Sequence, residues 1–211
     1  MIIRSCKRSA ARPFFYPQIV QLMTKEELRT LYRKKRQGLD QDTRHMYDHA
    51  ILRRLKEMDW SQVSYIHTYL PMSDSNEPDT VHFVNWLRSI QQDIQFVVSR
   101  SNFKSHEMVH YLWDQDTVLE VNRWGILEPK EGIVIDPDKI DVVLVPLLII
   151  DSYGNRVGYG KGFYDRFLVD CRPDVKSIGL SYFDPVDKIT DVGKWDVQLK
   201  CCVSPSGVYH Y

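Results

Sequence analysis

Ile140-Asp141-Val142-Val143-Leu144-Val145-Pro146-Leu147-Leu148-Ile149-Ile150 runs directly into Asp151-Ser152-Tyr153-Gly154-Asn155-Arg156-Val157-Gly158-Tyr159-Gly160-Lys161-Gly162-Phe163-Tyr164-Asp165-Arg166. The first stretch is apolar at nine successive positions and does not alternate. A strand with one wet face alternates; a continuous run marks a strand covered on both faces, as in the middle of a parallel sheet. The second stretch is a glycine-rich loop entering a helix over about Gly162–Val169. In open α/β sheets, ligands bind just beyond the carboxyl ends of the strands. Four of the ten glycines lie between 154 and 162, so this loop is built for close backbone approach. Its amides and the helix start form an anion site. It is neither GxGxxG nor a Walker A loop. Arg156, Lys161, Tyr164, Asp165 and Arg166 crowd around it, which suits a nucleotide phosphate with a metal ligand nearby better than a plain connection.

Outward from this stretch, strands and helices alternate. Thr24-Lys25-Glu26-Glu27 is a capping box that opens a helix ending near Gly38. At 100° per residue, Lys25, Arg29, Arg33 and Arg36 share one quadrant beside Leu28, Leu31 and Tyr32. Such a row is either a solvated basic face or a clamp for a polyanion. Further helices fit 43–58 and 80–91. Strands fit 63–70, 94–99, 108–113, 140–150, 175–181 and 200–203, with a turn-rich stretch over 114–139. The pattern predicts a single three-layer α/β domain with a mainly parallel central sheet and helices on both faces. In the loop after the first strand, Glu77 precedes a proline and faces the cleft, while Asp79 or Thr80 caps the next helix.

Composition narrows the classes. Lys plus Arg is 28 and Asp plus Glu is 28, so no global charge favours nucleic acid or anionic lipid. No apolar run approaches the roughly 20 residues of a membrane helix. Cys6, Cys171, Cys201 and Cys202 show no zinc-ligand spacing and read as reduced thiols in the cytoplasm. Residues 1–22 hold Arg4, Lys7, Arg8 and Arg12 with no acid. They are expected to form a disordered extension or to reflect an overlong gene start, an organelle transit peptide being the alternative. The domain is placed at 23–211.

These motifs resemble those of the 5-formyltetrahydrofolate cyclo-ligase family. The match includes the glycine loop, Lys25-x-x-Leu28-Arg29, Tyr69…Glu77-Pro78-Asp79-Thr80, Trp124-Gly125-Ile126-Leu127-Glu128-Pro129, Ile178-Gly179-Leu180 and Trp195-Asp196. It departs at Phe163, where the family often has a tyrosine, and in the tail from Cys201 to Tyr211. The resemblance implies ATP- and Mg²⁺-dependent cyclisation of 5-formyltetrahydrofolate by a monomer. It implies that Lys25, Arg29, Arg156, Gly158, Tyr159, Gly160, Lys161, Gly162 and Arg166 hold ATP. Leu70, Met72, Glu77, Trp124, Phe163 and Tyr164 would hold the folate, with Tyr164, Glu77 and Arg156 catalytic and Asp165 and Asp196 on Mg²⁺. Either aspartate could instead cap a turn. Two other readings stay open: a non-catalytic binding module with the same loop, and an RNA-binding protein using the basic helix.

Overall fold

The computed structural model describes residues 22–211. The expectation for residues 1–22 therefore lies, apart from Leu22, outside the described residues. Four helices are α1 (Lys25–Gln37), α2 (Gln41–Lys56), α3 (Val81–Ile90) and α4 (Phe163–Asp170). The strands are β1 (Tyr65–His67), β2 (Gln95–Asn102), β3 (Glu107–Leu112), β4 (Leu119–Val121), β5 (Leu127–Pro129), β6 (Val142–Pro146), β7 (Ile149–Ile150), β8 (Arg156–Val157), β9 (Lys176–Leu180), β10 (Cys201–Val203) and β11 (Val208–His210).

Seven strands form the main sheet in the order β11-β10-β9-β6-β1-β2-β3. Pairings from β10 through β2 are parallel, and the two edge strands are antiparallel. β6 is buried along its apolar length because both faces are covered. Val142 and Leu144 pack with Phe83, Val84 and Leu87 of α3 and with Ile51 and Leu55 of α2. Val143 and Val145 pack with Phe167 and Leu168 of α4. The period-2 alternation of a strand sorts its neighbours between two helical layers.

The apolar run is not one strand. β6 stops at Pro146, which has no N–H to donate to a ladder. The chain bends at Leu148, which donates its amide to the Val157 carbonyl at 2.8 Å. Ile149 and Ile150 then pair antiparallel with Val157 and Arg156 in a separate two-stranded ribbon. Leu28 and Tyr32 of α1 pack on that ribbon through Leu148, Ile149, Val157 and Ile189. The turn-rich stretch also contains a short hairpin, β4 with β5. β11, at the sheet edge, has no counterpart in the expected elements.

Candidate active site

β1 leads through α3 to β2 on one side, and β6 leads through α4 to β9 on the other. Where neighbouring strands send their connections in opposite directions, the sheet's carboxyl edge opens a crevice. A cleft of about 600 Å³ lies there. It is lined by Thr68, Tyr69 and Leu70 after β1, Pro146 at the end of β6, Val98, Ser99 and Ser101 of β2, and the glycine loop.

The cationic wall comes from α1, whose start is fixed by the Thr24–Glu27 capping box. Lys25, Arg29 and Arg33 line the cleft, and Arg36, 3% exposed, lies behind it. The row is therefore not a solvated face. Lys25 Nζ forms an ion pair with Asp196, and Arg29 Nε donates to the Gly158 carbonyl at 3.1 Å. A Cβ on Gly160 would stand 3.4 Å from the Arg29 guanidinium, and the residue's φ of +85° favours glycine there in any case. Gly162 caps α4 in the left-handed region with no side-chain capping bond, which leaves the first-turn amides available to an anion.

Arg156 is held on two sides. Its Nη1 donates to the Val197 carbonyl at 2.5 Å and its Nη2 to Asp165 Oδ1 at 2.8 Å. The Val197 amide donates to the same Asp165 oxygen at 3.0 Å. Burial lowers the Arg156 pKa, and Asp165 and Asp196 work against that shift. Arg156 lines the cleft with little freedom. Lys161 lies on the rim. Arg166 does not reach the cleft: it is exposed and ties the β2–β3 turn to the glycine loop through the carbonyls of His106 and Lys161.

Asp165 and Asp196 both line the cleft. One oxygen of each accepts no hydrogen bond among the described residues. No cluster of three metal-ligating side chains is found among those residues. This donor set does not make a closed protein cage. It does fit Mg²⁺, which takes one or two carboxylates and completes its shell with phosphate oxygens and water.

On the opposite wall, Leu70, Met72, Phe163 and Tyr164 line the cleft as expected. Trp124 does not. It is 55% exposed and reaches the site only through Phe103, whose ring lies 5.1 Å from Trp124 and 5.2 Å from Phe163. The apolar lining is completed by Ile126 and Leu127, which belong to the Trp124–Pro129 motif, and by Phe103 and Met108, which no motif singled out. Glu77 is 7% exposed. Its Oε2 accepts the Met72 amide at 2.8 Å, and its Oε1 accepts the Tyr159 hydroxyl at 2.5 Å. Burial raises the Glu77 pKa, and the Met72 amide, the Tyr159 hydroxyl and Arg36 oppose that. Asp79, not Thr80, caps α3, accepting the Val81 amide at 2.8 Å. Burial also raises the Tyr164 pKa, so its phenol stays protonated.

Under the cleft floor, Ser99 Oγ lies 2.7 Å from His67 Nε2 and 2.7 Å from His110 Nδ1. Burial pulls His67 well below the usual imidazole range and His110 to about 4, so both rings are neutral near pH 7. The three residues sit on β1, β2 and β3, far apart in sequence. Only the strand register brings them together.

Comparison with known proteins agrees with this geometry. The family model for the 5-formyltetrahydrofolate cyclo-ligase family matches residues 21–205. The cyclo-ligase of Haemophilus influenzae is 27% identical over 179 residues, covering 83% of this chain and 94% of that protein. That of Escherichia coli K12 is 30% identical over 112 residues, 52% of this chain and 62% of that protein, just short of two thirds of its length. The NMR structure of Aquifex aeolicus 5,10-methenyltetrahydrofolate synthetase superposes with a TM-score of 0.74 at 25% identity, covering 89% of this chain and 93% of that one. A sheet switch point, a cation-lined glycine loop and a match over nearly the whole domain converge: the chain belongs to the 5-formyltetrahydrofolate cyclo-ligase family.

Proposed function

We propose that this chain converts 5-formyltetrahydrofolate and ATP to 5,10-methenyltetrahydrofolate, ADP and phosphate, as a cytoplasmic monomer. The observation that carries the reading is that one cleft joins the α1 cations and glycine loop to an apolar wall bearing a buried carboxylate. A polyphosphate and a flat, partly apolar second substrate would meet between them.

A formamide carbon is a poor electrophile and its oxygen a poor leaving group. In the proposed reaction the formyl oxygen attacks the γ-phosphorus in line and ADP leaves. The product of that step is an iminium phosphate at N5. N10 then adds to the activated carbon and gives up its proton. Phosphate departs with the C–O bonding pair, leaving the N5–C–N10 amidinium. Catalysis of phosphoryl transfer is mostly positioning and charge neutralisation. Lys25, Arg29, Lys161 and the Gly158–Gly162 backbone bind the phosphates from two sides. Arg156, fixed by Asp165 and Val197, adds a charge that need not reorganise. Asp165 and Asp196 would hold Mg²⁺, whose contribution when bound is neutralisation of phosphate charge. Glu77 would contact N10 and receive its proton, and its raised pKa suits a general base. Tyr164 presents a protonated phenol to the formyl group.

The test is absorbance of the conjugated methenyl product from 5-formyltetrahydrofolate, with ATP, without ATP, and with ATP plus a chelator. Product is expected only with ATP and free Mg²⁺. ATP-independent product, or none under any condition, rejects the reading.

A further inference from the structure

The side chain of the glycine-loop tyrosine, Tyr159, reaches from its loop to Arg36 and Glu77. The Tyr159 hydroxyl donates to Glu77 Oε1 and accepts from Arg36 Nη2, each at 2.5 Å. Arg36 Nη1 donates to the Leu147 carbonyl at 3.0 Å, and Asn76 Nδ2 donates to the Arg36 carbonyl at 3.2 Å. The end of α1, the bend after β6, the glycine loop and the loop bearing Glu77 thus meet on one chain of bonds.

Stability does not explain that chain. Arg36 is 3% exposed and its Nε has no hydrogen-bond partner among the described residues. Burying a guanidinium with an orphaned donor is a poor way to hold a fold, and an apolar side chain of similar size commonly does as well. Its use lies in what it faces. Among the described residues, the groups acting on the Glu77 carboxylate are the phenols of Tyr69, Tyr159 and Tyr164 and the guanidinium of Arg36. Without Arg36 and Tyr159, Glu77 would be buried with only the Met72 amide to fix it.

We infer that Arg36 and Tyr159 are positioning residues for the folate half of the site, acting through Glu77, and that Tyr159 serves folate rather than phosphate. The inference rests on the proposed cyclo-ligase reading and on Glu77 touching the folate. It places the Tyr159 side chain apart from the backbone of its own loop, which serves the nucleotide.

The experiment is equilibrium titration of 5-formyltetrahydrofolate and, separately, of ADP into the wild type, Tyr159→Phe, Glu77→Gln and the double variant, with Tm recorded for each. Tyr159→Phe is expected to weaken folate about tenfold and ADP by less than about twofold, the effect of one charge-assisted hydrogen bond on one substrate. In the Glu77→Gln background the same change should weaken folate by less than about twofold further, because the carboxylate through which Tyr159 acts is gone. Arg36→Lys should resemble Tyr159→Phe, and it keeps the test alive should Arg36→Leu fail to fold. Weakened ADP with unchanged folate binding would assign Tyr159 to phosphate and overturn the inference. So would multiplicative losses in the double variant, or equal losses of both ligands tracking a fall in Tm. A wild type that forms no methenyl product rejects the cyclo-ligase reading and takes the inference with it. A turning-over wild type with an indifferent Tyr159→Phe rejects the inference alone.

Discussion

Asp165→Asn keeps the shape of the Asp165 side chain and removes its charge. Asparagine retains an oxygen for the Arg156 Nη2 donor, now at 2.8 Å, and for the Val197 amide, now at 3.0 Å. What is lost is charge assistance, roughly 1–1.5 kcal/mol for each bond. The two bonds together give roughly 2–3 kcal/mol. Asp165 is 26% exposed, so water screens part of this and about 2 kcal/mol is the better figure. For a domain of this size that corresponds to a Tm about 4–8 °C lower. The assay is calorimetry without nucleotide or Mg²⁺, so that no ligand contributes. The variant should also need about tenfold more Mg²⁺ for half-maximal turnover, since one of two proposed carboxylate ligands has gone. Stability and metal dependence are expected to change together, because Asp165 both pairs with Arg156 and lines the cleft. An unchanged Tm would refute the ion-pair argument. Full turnover at wild-type Mg²⁺ would refute the metal assignment and leave Asp196.

Lys25→Ala should raise the apparent KM for ATP roughly ten- to a hundredfold and leave that for folate nearly unchanged, since it removes one proposed charge-assisted phosphate contact. Equal KM values for ATP in the two proteins would show Lys25 to be no more than the partner of Asp196. The His67–Ser99–His110 group predicts acid sensitivity. Below about pH 6.5 an unfolded chain protonates imidazoles that the folded chain keeps neutral, so stability falls as pH drops towards 4, by up to about 1.4 kcal/mol per pH unit for each ring. Urea unfolding at pH 7 and pH 5 measures the slope, and His110→Asn should reduce it by one ring's share. A variant with the parent slope would place the proton uptake elsewhere.

The sheet and its direction were legible because β6 carries a continuous apolar run and β1 and β2 are rich in branched and aromatic residues. The break at Pro146 was less legible: a proline ends a ladder but does not say that the chain resumes as a separate ribbon. Periodicity placed Lys25, Arg29, Arg33 and Arg36 together, yet could not tell cleft from solvent, nor say that the last of them is buried. The glycine loop and Glu77 carried local chemistry and could be picked out directly. Phe103, Met108, Ser99 and the two histidines could not, because they reach the site through strand register across distant segments. Trp124 and Arg166 show the opposite limit. Both fall within motifs, and in the structure one packs on the rim and the other braces two loops.

Lys25 makes its bonds across almost the whole chain. Its amide donates to Asp191 at 2.7 Å and its ammonium pairs with Asp196, partners 166 and 171 positions away. Closing a loop of that size costs about 4.5 kcal/mol of chain entropy, returned only when both ends are present and folded. During synthesis α1 can pack on Leu148, Ile149 and Val157 before Asp191 and Asp196 have emerged. The Lys25 end of α1 is therefore expected to be the last part of the cleft wall to close and the first to open. Amide exchange in α1 should outrun that in β6, and ADP should slow the former while leaving the latter as it was. On the proposed reading, bound ATP would then double as the clasp on the first helix.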